Sequence, residues 1–107
     1  MRKPETAPVP YRSTPVFDEN TLPASLRREH RTKPKVWGVV RVLEGRLKLS
    51  FLDPAREQIL LPSTPGLLLP DQPHLVELMG PMRMQVDFYN QPPKLDDDTE
   101  SSLEERW

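Results

Sequence analysis

Two side chains in this 107-residue chain stand out for the chemistry they offer: His30 and His74, its only imidazoles. Each sits where a proline-flanked turn enters an apolar, β-branched run, a usual place for a ligand site on a β scaffold. Neutral imidazole is the commonest protein donor to a metal ion. Two histidines are one donor short of a typical catalytic zinc set, so a carboxylate has to complete it. The candidates are Asp87, Glu77 and Glu44. Glu77 has the wrong alternation relative to His74, which leaves Asp87 as the expected third ligand. Such a set suits one divalent ion, zinc, iron or manganese. Thr32, Trp37, Glu77 and Gln85 are expected around the pocket. The competing reading makes each histidine a core residue hydrogen-bonded by a backbone group.

Strands are what must position these groups. Residues 37–43, Trp-Gly-Val-Val-Arg-Val-Leu, favour a strand over a short helix, and Glu44-Gly45 predicts a tight turn returning the chain along residues 46–51. Asp53-Pro54-Ala55-Arg56 predicts a type I turn with proline at its second position, followed by a strand over 58–61. Short strands follow over 66–69 and 74–78, and Met79-Gly80-Pro81 predicts a further turn. Residues 82–89 alternate cleanly, with Met82, Met84, Val86 and Phe88 on one face and Arg83, Gln85, Asp87 and Tyr89 on the other. Residues 22–26 suggest a single helical turn with Pro23 at its first position. Residues 27–35 read as a surface loop or edge strand carrying His30 and Thr32. Trp37 and Tyr89 also fit core or interface packing. The methionines follow a strand face and a turn, which favours packing over thioether ligation.

Turn signals every eight to twelve residues, with no long helical stretch, predict an all-β sandwich or barrel. The expected organisation is an extended proline-rich arm over 1–15, one β domain over 16–90 and an acidic, flexible tail over 91–107. Residues 1–90 hold thirteen Lys/Arg against ten Asp/Glu, and the last seventeen hold two against six. So small a basic excess predicts no nucleic-acid partner. The chain lacks a glycine-rich phosphate loop, which predicts no nucleotide cofactor, and it has no apolar run long enough for a membrane span. With no cysteine there is neither disulfide nor thiol nucleophile; together with the prolines that interrupt the N-terminal residues, this predicts a cytoplasmic protein. Edges that need cover predict a homodimer.

Five stretches in order, F-D-E-N-T-L-P-A-S-L, H-R-T-K-P-K-V-W-G, V-L-E-G-R-L, P-D-Q-P-H-L-V-E and Q-V-D-F-Y, resemble the TehB/YeaR-like domain over roughly residues 11–90. Members of that family are small cupin-type barrels, found alone or ahead of a tellurite-resistance methyltransferase. The resemblance implies a jelly-roll fold, with His30 in the first cupin histidine position and His74 in the second-motif position. Thr32 stands where many metal-binding cupins carry another histidine, and Pro34-Lys35 stands where family members often have glycine.

Three functions are therefore in competition. The leading expectation is a small stress-associated cupin that binds a metal ion or a small anionic ligand in its barrel. A metal-dependent oxygenase or isomerase using His30, His74 and Asp87 is the second. The third is a non-catalytic interaction module acting beside a separate methyltransferase. Arg27, Arg28, Arg31, Lys33 and Lys35 would attract an anion to the site mouth, or form a solvated loop.

Overall fold

The strand that alternation marks over residues 82–89 continues backwards through Met79-Gly80-Pro81, where the sequence predicts a turn. The computed structural model describes residues 8–95. In it β1 (Arg12–Ser13), β2 (Phe17–Asp18), β3 (His30–Arg31), β4 (Trp37–Leu52), β5 (Ala55–Leu60), β6 (Gly66–Leu68) and β7 (Pro73–Tyr89) form one antiparallel sheet. β4 and β7 are its spine, paired from Trp37↔Tyr89 to Phe51↔His74. β1, β2 and β3 pair with β7, whereas β5 and β6 pair with β4. The helical turn is a single 3-10 turn, Ala24–Arg27, led by Pro23.

Two glycines that signal turns are instead irregularities inside the long strands. Gly45 has φ 75° and faces Met82, and Gly80 has φ 129° in the opposite strand. The register shifts between Val42 and Glu44 and again between Gly45 and Leu47. Extra residues on both strands let the ribbon twist sharply without breaking. The positive φ that a hairpin turn would use is used by a bulge. The shift also changes which β4 residues face the core, from Val40 and Val42 to Leu47, Leu49 and Phe51. The true hairpin comes later: Leu52 pairs with Ala55, so Asp53-Pro54 is a two-residue loop with a cis bond and proline in its third position rather than its second.

The all-β class is as expected, but the sheet does not close into a barrel. Its ladders end at β1 and β5, and among the described residues none joins β5 or β6 to β1, β2 or β3. Segments 61–65 and 69–72 would have to supply the missing pairs, and Pro62, Pro65 and Pro70 remove donors from them. The core lies on one face of the spine, where Leu22 and Leu60 pack with the inward residues of β4 and with Val76, Met82, Met84 and Val86 of β7.

Residues 11–14, expected as the end of the arm, are stitched to β7. The Tyr11 N–H donates to the Phe88 carbonyl at 2.9 Å and the Thr14 N–H to that of Val86 at 2.9 Å. Residues 1–7 of the arm and most of the acidic tail (96–107) lie outside the described residues. No helix among the described residues is long and apolar enough to cross a membrane.

Candidate functional site

His30 and His74 are direct cross-strand partners. β3 pairs with the start of β7 in the register His30↔His74 and Arg31↔Pro73, which brings together residues 44 apart in sequence. The two rings meet edge to face, their centroids 4.1 Å apart at 63°. The neighbouring turn holds β3 in place: the Asp71 N–H donates to the Thr32 carbonyl at 2.9 Å, and Arg31 Nη1 donates to the Asp71 carbonyl at 2.8 Å.

Each ring uses one nitrogen on the backbone two residues earlier. His30 Nδ1 donates to the Arg28 carbonyl at 2.9 Å and His74 Nδ1 to the Gln72 carbonyl at 2.7 Å. A carbonyl only accepts, so Nδ1 carries the proton in both rings, and in the neutral ring Nε2 keeps its lone pair. Burial pushes the His74 pKa below the ordinary imidazole value, opposed by the Gln72 carbonyl and reinforced by His30. His74 is therefore neutral at neutral pH, with Nε2 an acceptor.

Both rings line a cavity of about 240 Å³. Most of its wall is apolar: Val76, Met84, Val86 and Phe88 from β7, Val40 from β4 and Leu68 from β6. Thr32, the residue after β3, also lines it and is only 7% exposed. Its Oγ1 is buried with no hydrogen-bond partner. A buried polar atom without a partner is uncommon and asks for an explanation. Arg12, Arg31 and Lys33 complete the lining on the side of β1 and β3.

The other expected site residues are not brought here. Asp87 falls on the opposite face of β7, because strand alternation sends it away from Val86 and Phe88. It accepts from Arg41 Nε at 2.7 Å and from Ser13 Oγ at 2.7 Å. Gln85 shares that face and donates to the Thr14 carbonyl at 2.8 Å. Glu77 also points outward, 3.3 Å from Lys48 Nζ. Trp37 pairs with Tyr89 at the end of the spine and is not part of the cavity wall.

The metal set of His30, His74 and Asp87 is accordingly not assembled. Among the described residues no three His, Cys, Asp or Glu side chains stand together as a metal-holding group. Two imidazoles and a threonine hydroxyl are a donor set without the carboxylate that the expectation required, and they do not fit that centre. The two imidazoles do put polarity into the wall of an apolar cavity, with an acceptor at His74 Nε2.

Sequence reasoning missed Tyr11, Arg12 and Thr14 as wall residues, since they reach the cavity through pairing with a strand more than seventy residues away. The even-numbered residues of β7 were available from their alternation.

The model of the TehB-like domain matches residues 12–86. The chain belongs to the TehB-like domain family. Among solved structures it is similar to TehB from Haemophilus influenzae, at 28% identity and a TM-score of 0.71, covering 79% of this chain and 32% of that one. This chain thus spans about a third of that protein's length. It is also similar to a protein from E. coli (strain K12), with a TM-score of 0.73, 22% identity, and 86% of this chain and 99% of the other covered. The second likeness shows the shared fold. No curated protein matches the chain significantly.

Proposed function

We propose that this TehB-like domain is a binding module that takes a small, largely apolar molecule with a polar head into the cavity of His30, His74 and Thr32. The observation that carries the proposal is the largely apolar cavity of about 240 Å³ into whose wall two imidazoles are set, each with its Nδ1 proton already spent on the backbone. A ligand head group that donates a hydrogen bond gives the His74 Nε2 lone pair its partner. Cavities of this kind, apolar with a few convergent polar groups, are the usual form of a small-molecule site. Relation to TehB supports a place for the domain in resistance to chemical stress such as tellurite, with this chain supplying ligand binding rather than chemistry. A cupin-type sheet left open at its edges suits that role, since a ligand enters without a barrel having to open.

Titration with 4-methylphenol, followed by NMR of the methyl groups, tests the reading. Val40, Val76, Val86 and Met84 are expected to shift together while Val39, on the other face of β4, stays fixed. Chelator treatment should leave this binding unchanged. No shift at millimolar probe would contradict the proposal. An equimolar metal lost from the His74→Ala variant would instead favour the metal-binding reading.

A further inference from the structure

The two edges of the sheet are built differently. Along β7 the outer strands β1, β2 and β3 have two residues each, and β6 on β4 has three. β5 has six, and among the described residues nothing pairs with its far side. Opposed residues in an antiparallel ladder alternately exchange both hydrogen bonds and none. Leu52 and Ala55 close a two-residue loop and exchange both, so Glu57 and Ile59 also bond to β4, while Arg56, Gln58 and Leu60 turn their amides and carbonyls to the open side.

Such an edge is a template for another strand unless charge, proline or a bulge guards it. β5 holds no proline, and its ladder to β4 runs without a register shift. Its two charges are turned back onto the sheet: the Arg56 guanidinium lies over the Phe51 ring, 4.3 Å from its centroid, and a Glu57 carboxylate oxygen stands 3.4 Å from Lys48 Nζ. Ile59, on the outer face of the same strand, and Leu61 just beyond it are exposed apolar residues beside the open side.

We infer that β5 pairs with β5 of a second copy of this chain, antiparallel about a two-fold axis at Gln58, so that two sheets join into one. A two-fold axis sets the strand against itself, and its side chains then choose the register. Centred on Gln58, Arg56 faces the second copy's Leu60 and Glu57 faces its Ile59, and each of Arg56, Gln58 and Leu60 finds a partner for its amide and its carbonyl. Centred on Glu57, two carboxylates oppose each other. Centred on Ile59, Arg56 faces Pro62, which has no N–H to give. β1 and β3, which help to line the cavity, lie across the spine on β7, so the pairing is independent of the proposed binding role.

Sedimentation of the full chain over a concentration series, together with amide hydrogen exchange along β5, tests it. Dimer is expected to form at micromolar protein, with exchange at Arg56, Gln58 and Leu60 slowing as it does. Gln58→Pro should weaken association about tenfold or more, because the lost amide bonds lie at the axis and β4 does not use that amide. Gln58→Lys and Gln58→Glu should each weaken it several-fold alone and restore it when mixed, since like charges oppose in each homodimer and unlike charges in the heterodimer. The charged variants decide the matter if Gln58→Pro fails to fold. A wild type that stays monomeric would overturn the inference, and slow exchange at those amides in the monomer would then give the edge to the chain's own residues 96–107. A dimer that a folded Gln58→Pro leaves intact, or that the charged variants form alone as readily as together, would place the interface elsewhere and overturn it as well.

Discussion

A buried hydroxyl without a partner lowers stability, and at Thr32 the sign of that cost is testable. Its desolvation is worth about 1–3 kcal/mol, and valine keeps the shape while removing the oxygen. Thr32→Val is expected to raise the denaturant midpoint of the ligand-free protein, and a lowered midpoint would mean that the hydroxyl has a partner. His74 carries a second signature. Its folded pKa is depressed by burial below the ordinary 6.5, so the unfolded chain binds the proton more readily. The stability this imidazole contributes when neutral is present above about 6.5 and is lost as pH falls from there towards its lower folded value. Thermal melts from pH 8 to pH 5 should show that loss, and His74→Gln should flatten it; an equal slope in both proteins would place the titrating group elsewhere.

At the scale of elements, the bulged spine decides which residues can share the cavity. The Gly45 backbone has φ 75°, and a Cβ there would collide with the Pro81 carbonyl oxygen. Gly45→Ala is therefore expected to cost about 2 kcal/mol or more in chemical denaturation. Gly80→Ala should cost less, since a Cβ there meets nothing within 4 Å and only its φ of 129° opposes it. Equal costs would show that the collision is relieved by movement of β7. On the outer face Arg41, Asp87 and Ser13 fasten β1 to the spine. Asp87→Ala should destabilise by about 1–3 kcal/mol while 4-methylphenol affinity in the folded protein stays the same; lost affinity would return Asp87 to the site.

These elements also show what the sequence could and could not disclose. Alternation over residues 82–89 located Met84, Val86 and Phe88 on one face, because a period of two survives in any strand. The same rule leaves open which face is the cavity, and Asp87 was assigned across that gap. Gly45 and Gly80 announced positive φ, but a hairpin and a bulge draw on the same conformational freedom, and only the partner strand tells them apart. The pairing of His30 with His74 was legible in part, as two histidines entering strands. Their Nδ1 bonds depend on backbone geometry that residue types do not encode.

For the whole molecule, an open sheet with its core and its cavity on the same face has a simple consequence: the wall is closed by short pieces of chain, β1 and β3, laid along β7. Ligand binding should therefore couple to the docking of those pieces and raise the melting temperature with the logarithm of one plus the ratio of ligand concentration to Kd. The central claim is that the paired imidazoles present free Nε2 lone pairs to a bound molecule. Long-range proton–nitrogen NMR of the two histidines at pH 8, with and without 4-methylphenol, measures this directly. Both rings should carry their proton on Nδ1, and the Nε2 resonance of at least His74 should move on binding while its Nδ1 resonance stays close to its starting value. A proton on Nε2 in the free protein, or nitrogen resonances indifferent to a ligand that binds, would contradict the account.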